Sequence, residues 1–122
     1  MTTVLRPGVP LDAMTLPIVL ERLDASDTVS GTPRAGAAAL VEGPGAEVGV
    51  WEMTAGTARD TEVDEVFVVL SGRAWIRFLE VPGGSSPADA EIGAGSVVRL
   101  TAGMRTEWTV AETLRKVYVA LG

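Results

Sequence analysis

The fold of this chain is decided by residues 65–72, which read Glu-Val-Phe-Val-Val-Leu-Ser-Gly. β-Branched and aromatic side chains fill this stretch, and such side chains favour a β-strand. Ser71 and Gly72 end the run, and a second apolar run, residues 73–81, follows at once. Two strand-like runs joined by so short a junction predict a β-hairpin.

Short apolar runs continue on both sides of this stretch. Gly, Pro, Asp and Ser separate them, and no segment shows a sustained helical period. The pattern is typical of an all-β domain with roughly seven to nine strands, which fits a sandwich, a barrel or a jelly roll. Strands are predicted at 36–42, 47–54, 65–70, 73–81, 96–100, 106–110 and 114–121, a strand or one helical turn at 16–23, and a loop at 55–64.

Length and charge limit the kind of protein this is. The 122 residues, 47 % of them hydrophobic, correspond to one domain with one core. A net charge of -6 argues against nucleic acid held on a basic face. No run reaches the ~18 apolar residues of a membrane span, and the first ten residues lack the apolar core of a secretory signal. We therefore expect a cytoplasmic protein with neither a nucleic-acid nor a membrane partner.

Histidine and cysteine are both absent from the sequence. Their absence excludes disulfides, thiolate zinc sites, histidine-based nucleophile systems and the ordinary zinc, copper or nickel centre. A metal ion would have only oxygen ligands. We expect no metal and no other cofactor.

Glu65 begins the central strand and shares a face with Phe67 and Val69, because side chains alternate along a strand. A carboxylate facing a core needs a charged partner, hydrogen-bond donors or a metal. Arg59 is the nearest basic residue in the sequence, and we expect Glu65 to pair with it or with donors beside Thr106. A structural salt bridge is favoured over a catalytic role.

The remaining acidic residues and the tryptophans are other candidates for a functional site. Three neighbouring acids are predicted to lie on a solvated loop: Asp60, Glu62 and Asp64. Three tryptophans lie in predicted strands, where core packing is the favoured role and the wall of a ligand pocket is the alternative. They are Trp51, Trp75 and Trp108. The strand after Gly72 is predicted to turn Ala74, Ile76 and Phe78 inward.

Two stretches of the sequence resemble the motifs of the cupin superfamily. Glu65 and Gly72 match the second half of the first motif, in which a glutamate is followed by a glycine seven positions later. Gly95 and Gly103 match two positions of the second motif. A longer string, Thr106–Val119, is similar to one branch, the short bacterial proteins related to the (S)-ureidoglycine aminohydrolase cupin domain.

The resemblance covers roughly residues 46–121 and implies a single-domain, all-β cupin, a double-stranded β-helix or jelly-roll barrel. The barrel is expected at 46–122. Residues 1–45 are expected to pack on the barrel or on a dimer mate, the whole being one structural domain. A homodimer is expected because cupins of this size commonly pair and the apolar run 16–23 has to be buried.

Many cupins hold a divalent metal with two histidines and the glutamate of the first motif and the histidine of the second. In this chain only Glu65 remains of those four ligands. In the histidine positions stand Arg59 and Thr61 or, with one more spacer residue, Ala58 and Asp60, and Thr106 in the second motif. The resemblance therefore implies a cupin without the metal site of its family.

The first hypothesis for function is metal-free binding of a small polar or anionic molecule, otherwise unknown, in the barrel. Arg59 and Glu65 would supply charge. Thr106 would supply a hydrogen bond, and Trp51 or Trp108 an apolar wall. One alternative is a small cupin enzyme, an isomerase, cyclase or aminohydrolase-like catalyst, with Glu65 as general base. The other is a non-catalytic dimeric interaction module.

Overall fold

A computed structural model describes residues 4–122 of the chain. These residues form nine β-strands, which confirms the predicted all-β class. The strands are β1 (Glu21–Arg22), β2 (Thr28–Ser30), β3 (Arg34–Gly43), β4 (Ala46–Met53), β5 (Gly56–Thr61), β6 (Glu65–Glu80), β7 (Ala90–Gly93), β8 (Val97–Leu100) and β9 (Arg105–Leu121). Between residues 4 and 122 no helix is long and apolar enough to cross a membrane.

Two long strands organise the sheet, β6 with 16 residues and β9 with 17. They pair antiparallel with each other along most of their length. On its other edge, β9 pairs with β5 through residues 105–110 and with β4 through 114–121. The other edge of β6 pairs with β8 through 65–68 and with β7 through 73–76. Because each long strand serves two sets of neighbours, the sheet curls into the predicted jelly-roll barrel.

The predicted hairpin at Ser71 and Gly72 is wrong, because the chain continues through this point as one bent strand, β6. Gly72 has φ 91°, in the left-handed region that favours glycine. The register against β9 shifts three times between Val69 and Ala74, and these irregularities accompany the bend. What the local sequence marks as a turn is therefore a bulged corner of the barrel.

In two other segments the structure also contains more continuous strand than predicted. The two strands predicted at 106–110 and 114–121 are one strand, β9. The predicted loop 55–64 contains β5, which pairs with β9 on one edge and β2 on the other. Polar composition suggested a loop, but the strand borders the cavity and the solvent and therefore carries polar side chains.

The interior is filled by side chains that alternate along the two long strands. As predicted, Ala74 and Ile76 face inward, and both are 0 % exposed. Phe78 packs against the same core. Arg73 lies on the opposite face and donates to Glu91 at 2.6 Å. The other large apolar residues of this core are Met53, Phe67, Val69, Ile92, Leu100, Trp108, Val110, Leu114 and Tyr118.

The segment before β1 lies on the outer face of its own sheet. Arg115 Nη1 donates to the carbonyl oxygens of Ala13 at 3.0 Å and Leu16 at 2.8 Å. Leu40 and Val50 are buried on this side, outside the barrel core. Within the run predicted as a strand or helical turn at 16–23, only the two residues of β1 pair with the sheet.

Candidate functional site

A cavity of about 450 Å³ lies inside the barrel between β4, β5 and β9. Strand register explains which side chains line it. Trp51 of β4 stands opposite Lys116 of β9, and Ala58 of β5 stands opposite Trp108. Residues directly opposite each other share a face of the sheet, so all four face the cavity. Its wall is therefore aromatic on one side and charged where Lys116 enters.

Lys116 is the only lysine of the sequence, and it lies at the centre of this site with 5 % exposure. Its Nζ donates to Glu65 Oε2 at 3.2 Å. Three aromatic rings surround the same nitrogen, with ring centroids at 4.0 Å for Phe67, 4.8 Å for Trp51 and 5.1 Å for Trp108. One carboxylate and an aromatic cage thus hold a cation inside the barrel.

The pKa of Lys116 lies below its ordinary 10.5 because burial disfavours the ammonium form. The charge of Glu65 opposes this shift most strongly, through both its field and its hydrogen bond, and the charges of Glu62 and Asp60 add to the opposition. Desolvation outweighs the three carboxylates. The amine of Lys116 is therefore easier to deprotonate than that of an exposed lysine.

Glu62 is buried, so its predicted place on a solvated loop is wrong. Its Oε2 accepts hydrogen bonds from Thr106 Oγ1 at 2.6 Å and from Trp108 Nε1 at 3.1 Å. Asp64 is exposed as predicted and accepts a hydrogen bond from the backbone N–H of Ala102 at 3.0 Å. The alternation that turns Ala58 and Asp60 inward on β5 also directs Glu62 inward just past its end.

Tyr118 lines the cavity and is hydrogen-bonded to a carboxylate that does not. Its hydroxyl donates to Glu47 Oε2 at 2.6 Å. Burial is the main reason that the pKa of Tyr118 lies above its ordinary 10.0, and the hydrogen bond to Glu47 adds to the effect. Tyr118 is therefore a neutral hydrogen-bond donor whose proton is committed to Glu47.

Asp60 stands at the mouth of the cavity. The residue is exposed as a whole, yet partial burial raises the pKa of its carboxyl from the ordinary 3.8 to about 6, and the neighbouring charge of Glu62 adds to the rise. The backbone N–H of Thr61 donates to Asp60 Oδ1 at 2.8 Å and works against the rise. Asp60 therefore titrates close to neutral pH while facing the same cavity as Lys116.

Replacing Asp60 by asparagine is expected to stabilise the protein at pH 7 by on the order of 1 kcal/mol, solvent screening having reduced the effect of the full shift. Between pH 3.8 and about 6 the folded state keeps a proton that the unfolded state has lost, so the native aspartate destabilises increasingly as pH rises. Below 3.8 the two proteins should be equally stable. Urea unfolding across this range measures the difference, and a gap that does not change with pH would contradict the assignment.

The sequence-predicted site residues fall into two groups. Glu65 is 9 % exposed and lines the cavity with Trp51 and Trp108. Thr106 is fully buried, and its hydroxyl proton is used on Glu62. The expected pairing of Glu65 with Arg59 or with donors beside Thr106 is wrong, because its partner is the Lys116 ammonium.

Arg59 points away from the interior although it borders the cavity. It lies between two inward residues of β5, so alternation places its side chain on the outer face, where it is 53 % exposed. There Arg59 Nε donates to Glu107 Oε1 at 3.1 Å across the strand pair. Proximity in sequence suggested a partner for Glu65 that strand geometry does not allow.

Two residues of the site, Lys116 and Glu62, were not expected there from the sequence. For Lys116 a signal was present: it is the one lysine among nine arginines, on a strand where alternation gives it the same face as Leu114 and Tyr118. A lone cation on an apolar face calls for a buried partner. For Glu62 the signal was weaker, because a polar segment hid the strand that positions it.

The side chains at the cupin metal positions do not fit a metal ion. Because β5 turns Ala58 and Asp60 inward, these two residues occupy the first-motif histidine positions beside Glu65. Ala58 offers no ligand atom, Thr106 gives its hydroxyl proton to Glu62, and the Lys116 ammonium already occupies Glu65. Within the part of the chain that the structure describes, no cluster of three or more Asp, Glu, His or Cys residues is arranged to hold a metal.

We therefore expect the purified protein to carry no stoichiometric transition metal. The ammonium repels a second cation, and oxygen ligands alone bind divalent transition metals less well than imidazole or thiolate sites do. Elemental analysis after mild chelation measures the content. About one equivalent of manganese, iron, nickel or zinc per chain would contradict this expectation.

Solved structures of cupins share this fold. A protein of unknown function of the DUF861 family from Pseudomonas syringae pv. tomato aligns with TM-score 0.72 and 22 % identity over 89 % of this chain. The EutQ protein of Clostridium difficile aligns with TM-score 0.66 and 18 % identity, covering 92 % of this chain and 78 % of its own. A cupin superfamily protein from Desulfitobacterium hafniense gives TM-score 0.64 and 13 % identity, covering 98 % of this chain and 95 % of its own.

The chain spans 46 % of the length of the Pseudomonas protein. No curated protein matches the sequence. A sequence profile of the EutQ-like cupin domain, however, matches residues 42–118, which include β4 to β8 and most of β9. The match runs over more than half of the chain and agrees with the fold. The chain therefore belongs to the EutQ-like cupin domain family.

Proposed function

We propose that this cupin binds a small, uncharged polar molecule in the cavity beside Lys116. The observation that carries the proposal is the composition of the cavity wall. Trp51, Met53 and Trp108 give it apolar surface, while the Lys116–Glu65 pair and the Asp60 carboxyl give a few convergent polar groups. This combination is typical of small-molecule sites.

The charges of the lining disfavour an anionic ligand, one of the two classes expected from the sequence. Four carboxylates and two cations border the cavity; both cations are paired with a carboxylate, and the side chain of Arg59 points to the outer face. These residues are Asp27, Asp60, Glu62, Glu65, Arg59 and Lys116. An entering anion would meet net negative charge with no unpaired cation to receive it, so an uncharged ligand is favoured over an anionic one.

We also propose that this chain is related to the cupin branch that includes the (S)-ureidoglycine aminohydrolase cupin domain. The resemblance rests on the string Thr106–Val119 of β9. Three residues of that string line the cavity, namely Trp108, Lys116 and Tyr118. Members of this branch with the same string would then share the lining that β9 provides.

Thermal unfolding in the presence of matched small molecules tests the proposal. Butanamide, butanoate and butylammonium have similar size and differ in charge. We expect the uncharged amide to raise the melting temperature most, since a ligand at about 100 times its Kd stabilises by about 2.7 kcal/mol. Equal shifts for all three compounds, or a larger shift with butanoate or with butylammonium, would contradict the proposal.

A matched pair of alanine variants locates the effect in the cavity. Ala37 lines it opposite Trp51, so Ala37→Leu should fill the space and remove the amide-dependent shift. Ala111 lies exposed on β9, so Ala111→Leu should leave the shift unchanged. If both variants respond like the parent protein, the ligand binds outside this cavity.

A small cupin enzyme remains the second candidate, and one observation favours it. Asp60 titrates near neutral pH at the cavity mouth, which is the property required of a general acid or base. Glu65, proposed from the sequence as the base, is hydrogen-bonded to the Lys116 ammonium. Any base chemistry of Glu65 would therefore act first on that amine.

We also propose that the protein is a homodimer that buries apolar side chains of the N-terminal segment. Val19 is 81 % exposed and Met14 51 % exposed, and both belong to the segment before β1 that lies on the outer sheet face. Light scattering at micromolar concentration is expected to give a dimeric mass. Val19→Asp should shift it toward the monomer, whereas Val97→Asp, at a 69 % exposed position on β8, should not. A monomeric parent protein would contradict the proposal.

A further inference from the structure

We propose that Lys116 Nζ forms a reversible imine with a small uncharged aldehyde or ketone bound in the cavity. This inference rests on the proposed function, since it requires the cavity to accept a small polar molecule. Beyond the proposed function, it specifies that the ligand is a carbonyl compound and that it bonds covalently to the protein. The amine that would react is the only side-chain amine of the whole sequence.

The surroundings of Lys116 fit an amine that reacts with a carbonyl group. The residue lines the cavity although only 5 % of its surface is exposed, so the approach to Nζ runs through the cavity. Trp51 and Trp108 line the same space and supply the flat apolar surface against which an alkyl chain packs. A ligand held there would lie next to the amine, which raises its effective concentration.

Proton transfer begins at the contact between Lys116 and Glu65. The Glu65 carboxylate, 3.2 Å from Nζ, takes one proton from the ammonium and leaves a neutral amine. The nitrogen lone pair attacks the carbonyl carbon, and the carbonyl oxygen takes a second proton from nitrogen to give a carbinolamine. Glu65 then returns its proton to the hydroxyl, which leaves as water. The net change converts an ammonium and a carbonyl compound into an iminium and water, with no oxidation or reduction.

The product keeps the charge that the site is built to hold. An iminium carries the same single positive charge as the ammonium, so the attraction of Glu65 and of the three surrounding rings persists. The lowered pKa of Lys116 supports the first step, because burial already favours the neutral amine. The carboxylate and the three rings therefore stabilise the positive charge of the iminium as they do that of the ammonium.

Reductive trapping tests the inference on the folded, full-length chain. The protein is incubated near neutral pH with butanal and sodium cyanoborohydride, which reduces an iminium to a stable alkylamine. Peptide mapping by mass spectrometry then distinguishes Lys116 from the α-amine of the chain. At pH 7 an ordinary lysine is under about 0.1 % neutral and an α-amine roughly 10 %, so an unassisted lysine reacts more slowly than the α-amine.

We expect Lys116 to be alkylated faster than the α-amine in the native protein, and at least about tenfold faster than in urea-unfolded protein, because burial lowers the pKa of its amine and the cavity holds the aldehyde beside it. Alkylation only at the α-amine, or an equal rate for Lys116 in the folded and unfolded protein, would overturn the inference. Lys116→Arg keeps a cation at the position and should yield no adduct there. Because the native protein alone gives the decisive rates, the test does not depend on folding of the variant.

A non-reactive analogue separates this inference from the proposed function. 1-Butanol has the size of butanal but no carbonyl group. If both compounds raise the melting temperature and only the α-amine is alkylated, the cavity binds small molecules and the imine is refuted. If neither compound raises the melting temperature and Lys116 is not alkylated, the proposed function fails as well.

Discussion

Replacing Lys116 by methionine is expected to lower the free energy of unfolding by about 3–5 kcal/mol at neutral pH. Methionine fills nearly the same volume but leaves the Glu65 carboxylate, whose side chain is 11 % exposed, without its cation. A buried charge that loses its partner keeps the full cost of desolvation. The ring cage of Phe67, Trp51 and Trp108 also loses its cation.

A double-mutant cycle on Lys116 and Glu65, and a control substitution in an exposed ion pair, test whether this cost comes from the stranded charge. Glu65→Gln combined with Lys116→Met should cost less than the sum of the two single changes, because it removes the stranded charge. Arg73→Met breaks the Arg73–Glu91 pair, whose side chains are 53 % and 54 % exposed, and should cost less than about 1 kcal/mol. Urea unfolding gives all four values. A cost for Lys116→Met no larger than that for Arg73→Met would show that the buried pair is not a structural requirement.

The Lys116 ammonium takes the place that a metal ion has in many cupins, as the positive charge beside the inward glutamate. The positions that carry histidines in the family motif hold Ala58, Asp60 and Thr106, while Glu65 is retained. A retained inward carboxylate needs a counter-charge. Lys116 supplies it from the neighbouring strand β9, so a side chain of the protein itself neutralises the carboxylate.

The inward orientation of Glu65 could be predicted from the sequence because strand alternation groups it with two apolar residues and the resemblance to the first cupin motif indicates that this face is the inner one. Glu65, Phe67 and Val69 share a face in any regular strand, and the structure buries all three. The same argument placed Ala74 and Ile76 in the core. Alternation fixes the face of a residue without any knowledge of the neighbouring strands.

The partner of Glu65 could not be predicted in this way, because it depends on which strands become neighbours. Lys116 is 51 residues away in sequence, whereas Arg59 is close in sequence. In the folded chain β9 lies along β6, with Lys116 opposite Val69. Sequence distance says little about spatial distance when long strands pair antiparallel over their whole length.

The prediction of a hairpin at Gly72 was wrong for a related reason. A Ser-Gly pair between two apolar runs is a turn signal, and a hairpin satisfies it locally. The structure uses the left-handed conformation of Gly72 to bend β6 while β9 continues beside it. The chain bends here instead of reversing because β9 pairs with β6 on both sides of Gly72. The residues around Gly72 carry no information about that distant strand.

Replacing Gly72 by alanine is expected to cost at least about 3 kcal/mol of stability, from two effects that act together. The φ of 91° is strained for any residue with a Cβ. A Cβ at this position would also overlap the carbonyl oxygen of Thr113 and lie 2.7 Å from Leu114 Cα. Both are backbone atoms of β9, so no side-chain rotation relieves the overlap.

Gly95→Ala separates the two effects. Gly95 has φ 90°, nearly that of Gly72, but an added Cβ would meet nothing within 4 Å. Its substitution should therefore cost only the backbone strain, about 1–2 kcal/mol. The difference between the two variants in urea unfolding measures the close approach of β6 to β9 at the corner, two residues before Lys116. Equal costs would mean that the strands tolerate separation there, and that the position of the Lys116 amine does not depend on the bend.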